Sequence, residues 1–240
     1  MNRGIYAASA GMSMLRRQLD VVANNLANVS TTGYKKDVLA FNDVMAKALQ
    51  NGEQPIGSLG YGPQNFLEVT EFEVPGEILP TGNPLDLAID GNKGAFAVRS
   101  LKDGTVRYTR DGSFTRNPDG KLVTKAGDLV LDDRMNEIDL PAGKAVVAND
   151  GTLSVNGSEV AKIGVFEGSF RKVGGNLFEG NATAMDEATV HPNALEQSNV
   201  SAIESMVQMI DLQRSFEIAQ RSITAQDELA QRLISSLQDR

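Results

Sequence analysis

The chain of 240 residues contains no Cys, no Trp and a single His. Without thiols there is no thiolate nucleophile, disulfide, iron–sulfur cluster or Cys-ligated zinc, and one imidazole cannot build a multi-histidine metal site. A Ser-His-Asp mechanism would have to run through His191. Basic residues are also in deficit: 23 Lys and Arg face 31 Asp and Glu, for a net charge of −8. That balance argues against a nucleic-acid-binding surface. No run approaches the roughly 20 consecutive apolar residues of a membrane helix. Arg3 and Ala8-Ser9-Ala10 lack the ~7–15 residue apolar stretch of a secretory signal between them, so no cleaved signal is expected.

Glycine and proline are scarce at both ends. From Asn193 to Arg240 there is neither, and before Asn51 there are only Gly4, Gly11 and Gly33. All eight Pro lie between Asn51 and Pro192. Because both residues are costly inside helices, the chain reads as helix, then β-rich body, then helix.

In the first zone, Ile5, Ala8, Met12, Leu15, Leu19, Val22, Leu26 and Val29 alternate at spacings of three and four. That spacing places them on one seam, the pattern of a coiled coil, and Gly33 is the expected stop. In the last zone, Ser201-x-x-Glu204 is a candidate capping box and Asn199 a second candidate cap. Met209, Leu212, Phe216, Ala219, Ile223, Ala230, Leu233 and Leu237 share a stripe, and Ile203, Val207 and Ile210 run one position ahead of it. A single helix over Asn199–Gln238 would be about 60 Å long. Neither stripe is satisfied alone in water, so the two ends are expected to pair with each other or with neighbouring subunits. Their charges are opposite. Residues 1–50 carry six Lys/Arg against three Asp/Glu, and residues 192–240 carry four against seven.

The body holds the net acidity. Short alternating runs (Leu85–Ile89, Ala95–Arg99, Val106–Thr109, Lys121–Lys125, Lys144–Ala148, Lys162–Phe166) are separated by turn dipeptides. Asp90-Gly91, Asp103-Gly104, Asp111-Gly112, Asp119-Gly120, Asp150-Gly151 and Asn156-Gly157 are hairpin signals. The fold class is therefore mixed α and β: long terminal helices pairing as a coiled coil, with a central antiparallel β-domain. The expected spans are 1–35 for the first helix and its signature and 36–80 for a connection. The β-rich domain takes 81–192 and the last helix 193–240.

Chemistry has little to stand on. Asp132-Asp133 beside Arg134 reads as a turn rather than a carboxylate pair. Asp90-Gly-Asn92-Lys-Gly94 departs from a calcium loop, with Ala95 at the central Gly position and Leu101 at the bidentate Glu position. Gly57, Gly60 and Gly62 do not match a dinucleotide fingerprint. His191, before Pro192, reads as a surface-turn residue. The expectation is no enzyme, no catalytic or metal-binding residue and no cofactor.

Three stretches carry a resemblance. Ala23-Asn-Asn-Leu-Ala-Asn-Val-Ser-Thr-Thr-Gly-Tyr-Lys35 resembles the N-terminal signature of the bacterial flagellar basal-body rod and hook protein family. Leu85-Asp-Leu-Ala-Ile89, Tyr108-Thr-Arg-Asp-Gly-Ser-Phe114, Gly120-Lys-Leu-Val-Thr124 and Asn176-Leu-Phe178 are similar to its central domain. Leu195-Glu-Gln-Ser-Asn-Val200 and Met209-Ile-Asp-Leu-Gln-Arg-Ser-Phe-Glu217 resemble its C-terminal signature. The chain departs from the family at Gly91-Asn-Lys-Gly94-Ala95-Phe96, where the family has Gly-x-Gly-Phe-Phe. The short connection Asn51–Pro63 and Arg3–Met12 look more like the proximal rod class than the distal one.

The resemblance implies a structural rod subunit in the periplasmic part of the basal body, exported through the flagellar type III apparatus without signal cleavage. Its partners would be copies of itself and other rod subunits, with no nucleic acid and no direct membrane insertion. Subunit contacts are expected from Leu15, Leu19, Val22, Asn24, Asn25, Leu26, Asn28 and Val29 of the first end. From the last end they would come from Asn199, Val200, Ile203, Val207, Ile210, Leu212, Phe216, Ile223 and Leu233. An alternative of another class is a secreted β-domain adhesin or binding module on a coiled-coil stalk.

Overall fold

The computed structural model describes residues 3–41, 66–185 and 187–238. The connection at Asn51–Pro63 and the side chain of Leu233 lie outside the described residues. Two compact units are formed from interleaved stretches. One takes residues 1–27, 37–69 and 201–240, and the other takes residues 28–36 and 70–200.

In the first unit, α1 spans Arg3–Ala27 and α2 spans Ala202–Gln238. The 37 residues of α2 make a rod of about 55 Å. The heptad spacing decides which side of α1 is covered: Val22 is buried and Met12, Leu15, Leu19 and Leu26 are half-buried, while Arg16, Arg17 and Asp20 are exposed. On α2, Ser205 is buried and Ala202, Met209, Leu212, Phe216, Ala219 and Ile223 are half-buried. The two helices run alongside each other. Strands β1 (Asp37–Phe41) and β2 (Phe66–Thr70) form a small sheet, with β1 against α1. Among the described residues no helix is long and apolar enough to cross a membrane.

The end of α1 differs from the sequence expectation, whereas α2 starts after Ser201, one of the two expected caps. α1 stops at Ala27, where Asn28 takes over in a turn: its carbonyl accepts from Thr31 N–H at 3.1 Å and its side chain from the Thr31 hydroxyl at 3.2 Å. Val29 therefore leaves the helical seam. Gly33 does not end the helix. It has φ of 63° and lies so close to the Arg110 carbonyl group that a Cβ would collide with it. At α2 the cap is Ser201, whose Oγ accepts from Glu204 N–H at 3.3 Å; Asn199 is engaged elsewhere.

The second unit is built from fourteen short strands: β3 (Ile78–Pro80), β4 (Leu87–Ile89), β5 (Gly94–Arg99), β6 (Val106–Thr109), β7 (Phe114–Arg116), β8 (Leu122–Thr124), β9 (Leu129–Val130), β10 (Ala145–Val147), β11 (Thr152–Val155), β12 (Ser158–Lys162), β13 (Val165–Gly174), β14 (Leu177–Ala184), β15 (Val190–Pro192) and β16 (Ala194–Glu196). Strands thus extend beyond 81–192 on either side. The main sheet runs β13-β14-β6-β5-β9-β8-β7, and β13 also pairs with β5, closing a ring of four strands. β10-β11-β12 form a separate sheet, and β15–β4 and β16–β3 are two-stranded. These pairings are antiparallel.

β5 is buried on both faces, and its alternation serves two cores. Phe96 and Val98 pack with Leu87, Val130, Leu153 and Ile163, while Ala95 and Ala97 face Phe72, Tyr108, Phe166 and Phe178. Four of the turn dipeptides join paired neighbours: Asp103-Gly104 (β5–β6), Asp119-Gly120 (β7–β8), Asp150-Gly151 (β10–β11) and Asn156-Gly157 (β11–β12). Asp90-Gly91 and Asp111-Gly112 do not make hairpins. β4 pairs with the distant β15, and β6 with β5 and β14, so long-range pairing overrides the local signal. Gly112 instead permits close passage against the Leu87 carbonyl. Lys162–Phe166 is not one strand but the junction of β12 and β13, with Ile163 bridged to Asp132.

Candidate functional site

The resemblance placed functional weight on the two signature stretches, Ala23–Lys35 and Leu195–Val200. In the helical unit, the Asn25 side chain is 3% exposed and holds Asp37 twice: its Oδ1 accepts from Asp37 N–H at 2.9 Å and its Nδ2 donates to Asp37 O at 2.7 Å. An amide matched to one residue's backbone in this way fixes the return of the chain onto β1.

In the β unit, residues 28–36 are held from several directions. Gly33 N–H donates to Glu196 O at 2.8 Å, and the Thr32 hydroxyl donates to Asp111 Oδ1 at 2.7 Å. Asn176, at the tip of the β13–β14 hairpin, donates to Thr32 O at 2.9 Å. Lys172 of the same hairpin donates to Lys35 O at 3.2 Å and stands 3.9 Å from the centre of the Tyr34 ring. Asn199 accepts from Lys36 N–H at 2.7 Å through Oδ1, and its Nδ2 donates to Glu71 O and Val74 O at 3.2 and 3.1 Å. Asn25 and Asn199, expected between subunits, are thus occupied within the chain.

Below this loop lies a buried charge cluster. Lys35, Arg110 and Glu196 are each no more than 2% exposed. Lys35 Nζ is 2.7 Å from Glu196 Oε1 and donates to Val74 O at 2.8 Å. Arg110 Nη1 is 3.2 Å from Glu196 Oε2, and its Nη2 donates to Gly91 O at 3.0 Å. Gly76 N–H adds a donor to Glu196 Oε1 at 2.8 Å. The Phe72 ring lies 5.9 Å from Lys35 Nζ and 5.4 Å from the Arg110 guanidinium carbon. Burial lowers the pKa of both Lys35 and Arg110 from their ordinary values, against the pull of the Glu196 carboxylate. The cluster ties the N-terminal signature, the β-domain and the C-terminal signature to one carboxylate. Glu196 is thus shared between two buried cations and also borders a cavity of about 330 Å³ with Gly76, Ile78, Ile89 and Gly91. Sequence reasoning passed over Arg110 and Glu196. The signal available was a charged residue inside an apolar motif, in Tyr108–Phe114 and Leu195–Val200.

The remaining expected contact residues divide by exposure. Leu15, Leu19, Leu26, Asn28, Val29, Leu212, Phe216 and Ile223 are half-buried, and Val22 and Val200 are buried. Asn24 is exposed. Ile203, Val207 and Ile210 stand out from α2 at 77%, 54% and 48% exposure. His191 lies in β15, paired with Ala88, not in a turn; its Nε2 is 3.6 Å from Asp90 Oδ2 on the surface. Asp132 accepts from Arg134 and Asn136 N–H in a turn. Among the described residues no group of three or more His, Asp or Glu could hold a metal ion.

Comparison with known proteins matches three family models along the chain. Residues 5–35 match the flagella basal body rod protein model and residues 88–156 the flagellar hook protein FlgE/F/G D1 domain. Residues 191–236 match the flagellar basal body rod FlgEFG protein C-terminal model. Similar relatives include the flagellar basal-body rod protein FlgF of Caulobacter vibrioides, 34% identical over 99% of this chain and 98% of the relative. The flagellar basal-body rod protein FlgG of Borreliella burgdorferi is 32% identical, over 95% and 96%. That of Bacillus subtilis is 32% identical, over 98% and 99%.

Proposed function

The chain belongs to the flagellar basal-body rod protein family, and we propose that it is a structural subunit of the proximal rod, assembled through its terminal helices. The observation that carries this reading is the contrast on α2 between a half-buried stripe and a row of apolar side chains left in solvent. A 37-residue helix with apolar side chains on both sides is suited to a structure in which it has neighbours on both sides.

Within one chain, the seam of α1 (Leu15, Leu19, Val22, Leu26) meets that of α2 (Leu212, Phe216, Ile223) as a coiled coil. Ile203, Val207 and Ile210 meet the next copy. Such contacts are head-to-tail, and they build a helical tube rather than a closed dimer. The charge cluster at Glu196 holds residues 28–36 and 195–200 together within the β unit. The role is one of scaffolding and torque transmission, with no chemical step. The chain reaches its place through the flagellar type III apparatus, and lack of disulfides suits passage in an unfolded form.

The test is to delete the gene and restore it with a tagged copy. The tag should appear in purified basal bodies, in the rod, and Leu19→Asp or Ile210→Asp should abolish incorporation while leaving the β unit folded. Normal motility of either variant would refute the interface. Distal rod is the second reading, favoured by the near-equal identity to relatives named FlgG; electron microscopy of the tag along the rod separates the two.

A further inference from the structure

The β unit presents an apolar knob at one end of β5 and an open cavity at the other. The knob is Leu101, in the turn between β5 and β6. At 65% it is the most exposed large apolar side chain among the described residues of that unit. The turn around it is firmly held. Ser100 N–H donates to Thr105 O at 3.0 Å and Gly104 N–H to Ser100 O at 2.9 Å. Asp103 accepts from the Thr105 hydroxyl at 2.8 Å and from Arg107 Nη2 at 2.7 Å. These bonds fix Leu101 in water instead of letting it fold back, so a partner that receives it has little left to order. The cavity, about 330 Å³, lies beside Glu196 where the chain enters β5. Pro75, Ile78 and Ile89 supply apolar walls, and Asp90 and Asn92 stand exposed on the rim. Glu196 already has Lys35 and Arg110 as partners, so an uncharged occupant meets no unpaired charge there. A cavity of about 150 Å³ takes a benzene-sized group, so this one has room for a leucine side chain. The six residues of β5, about 20 Å, separate knob from cavity, and Leu101 cannot reach the cavity of its own chain.

We propose that Leu101 of one copy seats in the cavity beside Glu196 of the next, joining one β unit to another. The proposal rests on the rod reading and adds to it a contact that does not involve the terminal helices. Lys102, next to the knob, is exposed and makes no ion pair among the described residues. On seating it meets Asp90, the exposed carboxylate of the rim, whose neighbour in its own chain is His191 at 3.6 Å. An apolar side chain then fills apolar walls while an ammonium faces a carboxylate at the edge, an anchor with a polar rim. Knob and cavity are different surfaces at opposite ends of one strand. The contact is therefore head-to-tail and passes from copy to copy instead of pairing two copies face to face.

The chain has no Cys, which allows a direct test by cross-linking. A purified tagged copy with Lys102→Cys is mixed at about 1 mM with an untagged copy carrying Asn92→Cys, and a short bismaleimide is added. Both replaced residues are exposed, and the apolar seat survives both replacements. The mixed product should form at least about tenfold faster than with Glu159→Cys, an exposed position on β12, in place of Asn92→Cys. Leu101→Ser in the tagged copy should remove that advantage. Equal rates with the two partners, or an advantage untouched by Leu101→Ser, would overturn the proposal. In isolated rods built from both copies the Lys102→Cys and Asn92→Cys chains should also be joined, and rods holding both without the mixed product would overturn it as well. If the tagged unmodified chain is missing from basal bodies, the rod reading fails, while the cross-link in solution still decides the contact.

Discussion

Val98 in the β unit is fully buried, while Ile203 on α2 is 77% exposed, although both are branched aliphatic side chains. The β unit satisfies most of its apolar side chains, with Leu101 and Val146 left exposed at its surface. Its apolar residues fill two cores, and its buried charges Lys35, Arg110 and Glu196 find partners a few ångströms away. The helical unit satisfies only its seams. In the proposed rod the difference marks where assembly energy would come from: a surface that remains apolar in one chain would supply burial when a second chain arrives, at roughly 25 cal/mol for each Å² covered.

The comparison breaks most readily at Glu196. Glu196→Ala leaves two buried cations without their carboxylate and should cost about 3–5 kcal/mol of β-unit stability, read from denaturant unfolding. Replacing Lys35, Arg110 and Glu196 together by Met should recover much of that loss, because the penalty belongs to unpaired charge. A matched pair of truncations follows. Leu153→Ala in the larger core should cost about 3 kcal/mol. Ile210→Ala should change the stability of the isolated chain by no more than about 0.5 kcal/mol. A similar loss at both sites would mean that α2 is already covered within one chain.

Smaller effects sharpen the picture at the edges. Ser201→Ala removes the acceptor for Glu204 N–H and should cost about 1 kcal/mol, seen as faster hydrogen exchange in the first turn of α2. At the β5–β6 hairpin, bonds from the Thr105 hydroxyl and backbone and from Ser100, aided by Arg107, lower the Asp103 pKa to about 2. The folded pKa lies below the unfolded one, so its stabilising contribution is present above the ordinary Asp pKa of about 4. It is lost as pH falls from there through about 2. Carboxyl NMR titration of Asp103 reads this directly, and a midpoint near 4 would contradict it.

Much of this was legible in the residues, and the reason differs by element. The helices announce themselves because Leu15, Leu19, Val22 and Leu26 repeat at a helical period and need only local geometry to share a side. Val106–Thr109 and the Asn156-Gly157 turn are equally local: alternation makes one, and two left-handed residues (φ of 51° and 84°) make the other. What depended on distant chain was not legible. Asp111-Gly112 has the composition of a hairpin turn, yet its place is set by Leu87. β15–β4 and β16–β3 join stretches far apart in sequence, and no periodicity encodes such partners. The same holds for the candidate site. Asn25 and Asn199 were recognisable as conspicuous amides in the signatures, but only the fold shows them bound to Asp37 and Lys36. Lys35, Arg110 and Glu196 converge from three separate stretches, so their pairing emerges only in three dimensions.

Hydrogen exchange on the chain in two states tests the central claim most directly. The purified chain and the same chain in isolated rods should show equal protection at β-unit amides such as those of Phe96, Val98 and Val130. Amides of α1 and α2 should exchange at least about a hundredfold more slowly in rods than in the free chain. Helices already as protected in the free chain as in rods would contradict the claim that neighbouring copies complete them.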